Sequence, residues 1–229
     1  ALPVVHKAEM APLNVDRGQL VPVTAGRIER VRLLLASARR EPADVRVLLH
    51  PAASVFDFSQ VGEVLAAATG TAPASSEGWV DFPLGCDVAP GLYWIEVKAA
   101  AGVSWAKGEA EPVGTQAAQW EPQGIVSHDE LTMPGMKLEM LLEDARGPQW
   151  RMERGTHCLA VEPPSYPYGP ENAVNGVARA HRWPNIWISD PAAGLPQWLE
   201  LDFGAEVAIG SVQLAFDTDL DADEKWRGD

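Results

Sequence analysis

Short apolar/polar alternations broken by turn residues constrain this chain more than any other feature. In "PGLYWIEVKA" (90–99), a Pro-Gly turn is followed by Leu92, Trp94 and Glu96 on one face and Tyr93, Ile95 and Val97 on the other. "RIERVRLLLAS" carries Ile28, Val31 and Leu33, and "ADVRVLLH" repeats the pattern at Val45, Val47 and Leu49. "GWVDFPL" sets Val80 against Asp81. A period of two describes a strand with one face on a core. Nineteen prolines and 20 glycines are scattered between these runs, and long 3.6-residue stripes are missing. The chain therefore reads as all-β. The expected exception is "SQVGEVLAAATG", where Val61, Val64 and Leu65 have helical spacing and Gly70 would cap a short helix.

From Gly108 to about His128 the text turns rich in Pro, Gly and Gln and loses its alternation, which predicts a boundary or a long connection. Beyond it, "MKLEMLLEDA" fits a strand or a short helix. "THCLAVEPP", "QWLELDFG" and "IGSVQLAFDTDL" read as strands. The expected organisation is two β-sandwich modules, residues 1–118 and 119–229. The second has too few strands for the seven or so a two-sheet sandwich needs, so it is expected to be incomplete at its C-terminal end.

Composition narrows the partners. The chain has 229 residues, 46% of them hydrophobic, enough to bury a substantial core. Its formal charge is -14, with 32 acidic against 18 basic residues. That balance argues against nucleic acid, whose affinity rests on cations neutralising phosphates, and against anionic lipid. No apolar run reaches the roughly 18 residues of a membrane span, and the start lacks a signal-peptide pattern. Cys86 and Cys158 stand alone, without CxxC partners, and read as two packed thiols, with a single disulfide between the two halves as the alternative.

Specific resemblance enters near the end. "NAVNG" (172–176), the step at Trp187 and Ser189 in "IWISD", "QWLELDFG" (197–204) and "IGSVQL" (209–214) occur in that order. Together they resemble the discoidin, or coagulation-factor C-type, module, a galactose-binding-like jelly-roll sandwich. "PNIWISD" and "VQLAFDTDL" are also similar to the C-terminal region of certain large bacterial FAD-dependent oxidoreductase-type proteins. "DVAPGLYWIEV" and "GVSWAKGE" look like the accessory sandwich that precedes it. No GxGxxG opens a helix after a strand here. The resemblance thus implies an accessory, non-catalytic fragment of a larger protein, with no flavin or other cofactor bound in this chain. It also implies a structural calcium at the turn bearing Asn172 and Asn175, although Asn175 stands where the family often has Asp and Val177 replaces the next acid.

Within that frame "AHRWPNIW" is the expected carbohydrate site. A Trp183 face would stack on sugar C–H groups while His181, Arg182 and Asn185 fix the hydroxyls. Trp187 and Trp198 are expected in the core, with Trp183 the more exposed ring. "FDTDLDADE" reads as an acidic loop, since it lacks the Gly and Glu of a calcium-binding EF-hand. His50, His128 and His157 have no HExxH company, and Ser54, Ser127 and Ser189 lack a nucleophile elbow. Two roles follow: carbohydrate binding, or a scaffold that packs on the rest of its parent protein or mediates oligomerisation. The scaffold role predicts a large exposed apolar face.

Overall fold

The computed structural model describes residues 6–55, 63–122, 131–133, 136–138 and 148–216. Strands account for 45% of it and helix for 4%, so the all-β class is established. In chain order the strands are β1 (Glu9–Pro12), β2 (Arg17–Val23), β3 (Arg27–Ser37), β4 (Ala43–Ala52), β5 (Ala66–Ala72), β6 (Glu77–Asp87) and β7 (Gly91–Val97). They continue as β8 (Val103–Gly108), β9 (Gln116–Glu121), β10 (Leu131–Met133), β11 (Met136–Leu138), β12 (Gln149–Glu153), β13 (Thr156–His157) and β14 (Leu159–Glu162).

Two six-stranded antiparallel sheets face each other. The first runs β1-β8-β3-β14, with β13 paired to β8 and β6 to β3. The second runs β12-β9-β2-β7-β4-β5. Strands β10 and β11 form a separate hairpin. The core between the sheets is filled at alternate positions: Val31, Leu33, Leu35, Phe82 and Trp105 from the first, Val45, Val47, Leu49, Ile95 and Val97 from the second. The three-residue step from Ile28 to Val31 coincides with a register shift between Ile28 and Arg30. That extra residue returns Val31 to the core face. The second sheet is buried on its other face too, at Leu20, Leu92 and Trp94, so β2 and β7 tolerate apolar residues at nearly every position.

Three expectations are corrected. Residues 66–70, the end of the expected helix 59–70, instead belong to β5, and Gly70 sits mid-strand. A Cβ there would lie 2.8 Å from Phe82 Cε1 and 2.9 Å from Asp81 O, so this glycine admits close approach of β6 instead of capping a helix. The expected connection after Gly108 contains β9, whose Ala117 and Ala118 are fully buried. Finally, no strand forms in residues 197–216, where "QWLELDFG" and the described part of "IGSVQLAFDTDL" lie exposed in irregular chain.

The described residues divide into two units. One is built from the residues up to Pro167 together with His181–Pro184; the other comprises Tyr168–Ala180 and the residues from Asn185 onward. The expected 118/119 boundary falls inside β9, and β12, β13 and β14 add to the sheets of the first unit. The second unit contains two 3-10 helices, Pro170–Val174 and Pro191–Ala193, and no strand among its described residues.

Candidate functional site

The expected carbohydrate residues fall in different units. His181, Arg182 and Trp183 belong to the first, with His181 and Arg182 exposed and Trp183 half-buried. The segment is tied down at two points. The Val55 amide donates to the His181 carbonyl at 2.6 Å, and the His181 amide to that of Trp183 at 3.1 Å. Pro184 is buried against Gly114, where φ is +81° and an added Cβ would come within 2.6 Å of Pro184 Cγ. A turn bearing an aromatic ring with an imidazole and a guanidinium beside it is thus held on the sandwich.

Asn185 belongs to the second unit and serves its loop. With φ at +53°, a conformation Asn tolerates better than most residues, its Nδ2 donates to the Arg179 carbonyl at 3.1 Å. Its Oδ1 accepts from Asn175 Nδ2 at 3.0 Å. Asn175 Oδ1 accepts from the Val177 amide at 2.8 Å, and buried Asn172 donates to the Ile186 carbonyl at 2.9 Å. These carboxamides close the "NAVNG" turn upon itself. Among the described residues no group of three or more His, Cys, Asp or Glu is placed to share an ion. Calcium favours several hard oxygens with charge, and the residues present do not fit it.

The expected burial of the tryptophans is also corrected. Trp187 is half-buried and Trp198 is 79% exposed. The apolar residues around Trp198 share its fate: Leu201, Phe203, Ile209, Val212, Leu214 and Phe216 are all exposed. With no strand formed there is no sheet face to bury them. Asp217 and the rest of the acidic run, with His128 and Ser127, lie outside the described residues.

Two buried polar clusters were not foreseen. On the outer face of the second sheet, His50 Nε2 lies 2.7 Å from Glu96 Oε2, while Lys98 donates to Glu96 Oε1 at 3.0 Å and pairs with Asp16. Burial raises the Glu96 carboxyl pKa, but hydrogen bonds from His50 and Lys98 outweigh it and hold the value below normal. The ionised carboxylate pins β4 to β7 and, through Lys98, to the turn before β2.

The second cluster closes one end of the sandwich core. Arg17 pairs with Glu153, Lys107 approaches the same carboxylate at 4.0 Å, and His157 lies between them, fully enclosed. His157 Nε2 is 3.5 Å from Glu153 Oε2, an ion-pair distance, and among the described residues neither ring nitrogen meets a partner in hydrogen-bond geometry. The signal for both clusters was polar residues at core-like positions of alternating strands: Glu96 in "YWIEV", Arg17 and Gln19 in "RGQLVPV". Nothing local in sequence tells which strand supplies each partner.

Comparison with protein families, curated proteins and solved structures finds no match to this chain.

Proposed function

We propose that the chain is a non-catalytic accessory β-sandwich of a larger protein, docking on the rest of that protein through its apolar tract at 197–216. The observation that carries this reading is the exposure of period-two apolar positions there, Leu201 and Phe203 in one run and Val212, Leu214 and Phe216 in another. Large apolar surfaces left exposed on a soluble chain mark sites of interaction. Alternation without paired strands is what a segment awaiting strand partners would show. The resemblance to the C-terminal region of bacterial FAD-dependent oxidoreductase-type proteins supplies the partner, a flavoprotein catalytic domain. The test is co-purification with the remainder of the parent protein, supplied as a separate polypeptide. A stable complex lost on changing Leu201, Phe203, Leu214 and Phe216 to Ser supports the reading, and failure of the unaltered chain to associate overturns it.

Carbohydrate binding is the second reading, favoured by half-buried Trp183 next to exposed His181 and Arg182 on one anchored turn. Calorimetric titration with mono- and oligosaccharides tests it. Heat of binding that disappears on Trp183→Ala supports a site at this turn, and its persistence refutes that site.

A further inference from the structure

The outer face of the first sheet carries an arrangement that neither reading uses. Three adjacent strands contribute to it. In β3, Arg30, Arg32 and Leu34 point away from the core; their partners are Pro83, Asp81 and Trp79 of β6 and, for Arg30 and Arg32, Glu162 and Ala160 of β14. Trp79 is 43% exposed although it belongs to a well-packed strand whose neighbours Val80 and Phe82 are in the core. The Arg32 guanidinium carbon lies 5.7 Å from its ring centroid, within cation–π range.

The polar groups beside the ring are fixed in a row. Arg32 Nε donates to Asp81 Oδ1 at 2.9 Å, and Arg30 Nε to Glu162 Oε2 at 2.6 Å. Arg30 Nη1 lies 3.6 Å from the other Asp81 oxygen. Two cations face two anions, so this row is neutral on a chain whose overall charge is -14. From Trp79 to Pro83 the platform extends about 13 Å along β6 at the usual rise per residue.

We infer that this face binds a neutral saccharide chain, with the face of Trp79 that Arg32 does not cover stacking on one pyranose ring and the Arg32–Asp81–Arg30–Glu162 row hydrogen-bonding hydroxyls of the units beyond it. An aromatic plane takes the C–H face of a sugar, and paired guanidinium and carboxylate groups offer donors and acceptors in alternation to vicinal hydroxyls. A sheet supplies these groups already ordered, which lowers the cost of binding. Cancelled charge disfavours a nucleic acid or another polyanion as occupant. The ion pairs themselves stabilise the fold little, as exposed pairs contribute from nothing to about 1 kcal/mol, so the row is not needed to hold these strands together.

The ligand class is shared with the second reading above, but the site is different, and one experiment separates them. The full chain is run in native gels containing soluble xylan, mixed-linkage β-glucan, galactomannan or xyloglucan, beside Trp79→Ala, Trp79→Phe and Trp183→Ala. Retardation by at least one polysaccharide is expected, with affinity reduced about tenfold in Trp79→Ala, less in Trp79→Phe, and unchanged in Trp183→Ala. Circular dichroism and melting temperature should match the parent chain in every variant, because Trp79 and Trp183 stand outside the core. Retardation that survives Trp79→Ala, or is lost only in Trp183→Ala, overturns the proposal. So does the absence of retardation by all four polymers.

Discussion

The rings of Trp105 and His157 lie face to face, their centroids 4.1 Å apart and their planes 11° from parallel. Trp105 also donates from Nε1 to the Cys158 carbonyl at 3.0 Å, and the His157 amide donates to Gln19 Oε1 at 2.8 Å. The short β13 is thereby fastened to β8 of its own sheet and to β2 of the facing one. Its imidazole stacks on Trp105 with its nitrogens in the polar cluster of Arg17, Glu153 and Lys107.

That stack makes stability depend on pH in a defined direction. Burial pushes the His157 pKa below its ordinary 6.5, Arg17 and Lys107 push it further, and Glu153 opposes them. The folded state therefore holds His157 neutral while the unfolded chain takes up a proton below pH 6.5. Stability is full above that value and falls as the pH drops, at a rate of up to about 1.4 kcal/mol per pH unit. His157→Phe keeps the ring contact and removes two orphaned nitrogens, so it should be at least as stable at pH 7. Urea denaturation at pH 7, 6 and 5 should show a flatter pH dependence in the variant. An unchanged slope would show that His157 is not the group responsible.

Glu153 acts in a lower window. Burial raises its pKa, but the neighbouring His157 and Arg17, with the charge of Lys107, depress it to about 2 from 4.5. This contribution is complete above pH 4.5 and is lost as the pH falls towards 2. Removing the charge by Glu153→Gln leaves Arg17 and Lys107 enclosed without their shared anion, and uncompensated buried charge costs about 3 kcal/mol. The loss should appear at neutral pH as a lower urea midpoint, shrink as the pH falls below 4.5, and vanish only towards pH 2, where the native carboxylate is itself protonating.

How far the fold was legible follows from particular strands. β3, β4 and β7 carry branched and aromatic residues on alternate positions, so their identity and inward faces could be read directly. β5 ("AAATGTA") and β9 ("QAAQWE") could not, because Ala, Gly and Gln have little strand preference. Their state is imposed by pairing with β4 and with β2 and β12, where small side chains permit close packing. The reverse error occurs at 197–216. Strand periodicity is strong there, yet periodicity alone forms no strand without a partner edge. The Trp183 turn was legible as a candidate, whereas the placing of Trp79 beside Arg32 and Asp81 depends on β3–β6 register, which no local pattern encodes.

Gly114 offers a way to perturb the Trp183 turn without touching its side chains. Its positive φ is costly for any residue with a Cβ, and the added methyl of Gly114→Ala would collide with buried Pro184. The expected cost is about 1–3 kcal/mol, the range for overpacking and local strain. Part of it should emerge as local release of residues 181–184. Hydrogen exchange should quicken at the Val55 amide, which donates to His181, while amides of the β3–β6 ladder keep their protection. Uniform loss of protection would instead mean that Gly114 supports the whole sandwich.

Neither cysteine forms a disulfide; Cys158 is buried and Cys86 half-buried. Burial pushes the Cys158 thiol pKa above its ordinary value, further lowering its thiolate fraction at neutral pH. Cys158 also sits between β13 and β14, where its amide donates to the Ala106 carbonyl and its own carbonyl accepts from Leu34 and Trp105. A reagent reaches that sulfur only when these strands separate. Thiol titration of the native chain should therefore show one fast group, abolished by Cys86→Ser, and one whose rate follows unfolding. In denaturant both should react at once. Two fast groups in the native protein would mean that the end of the sandwich closed by Trp105 and His157 opens freely, against the packing described for it.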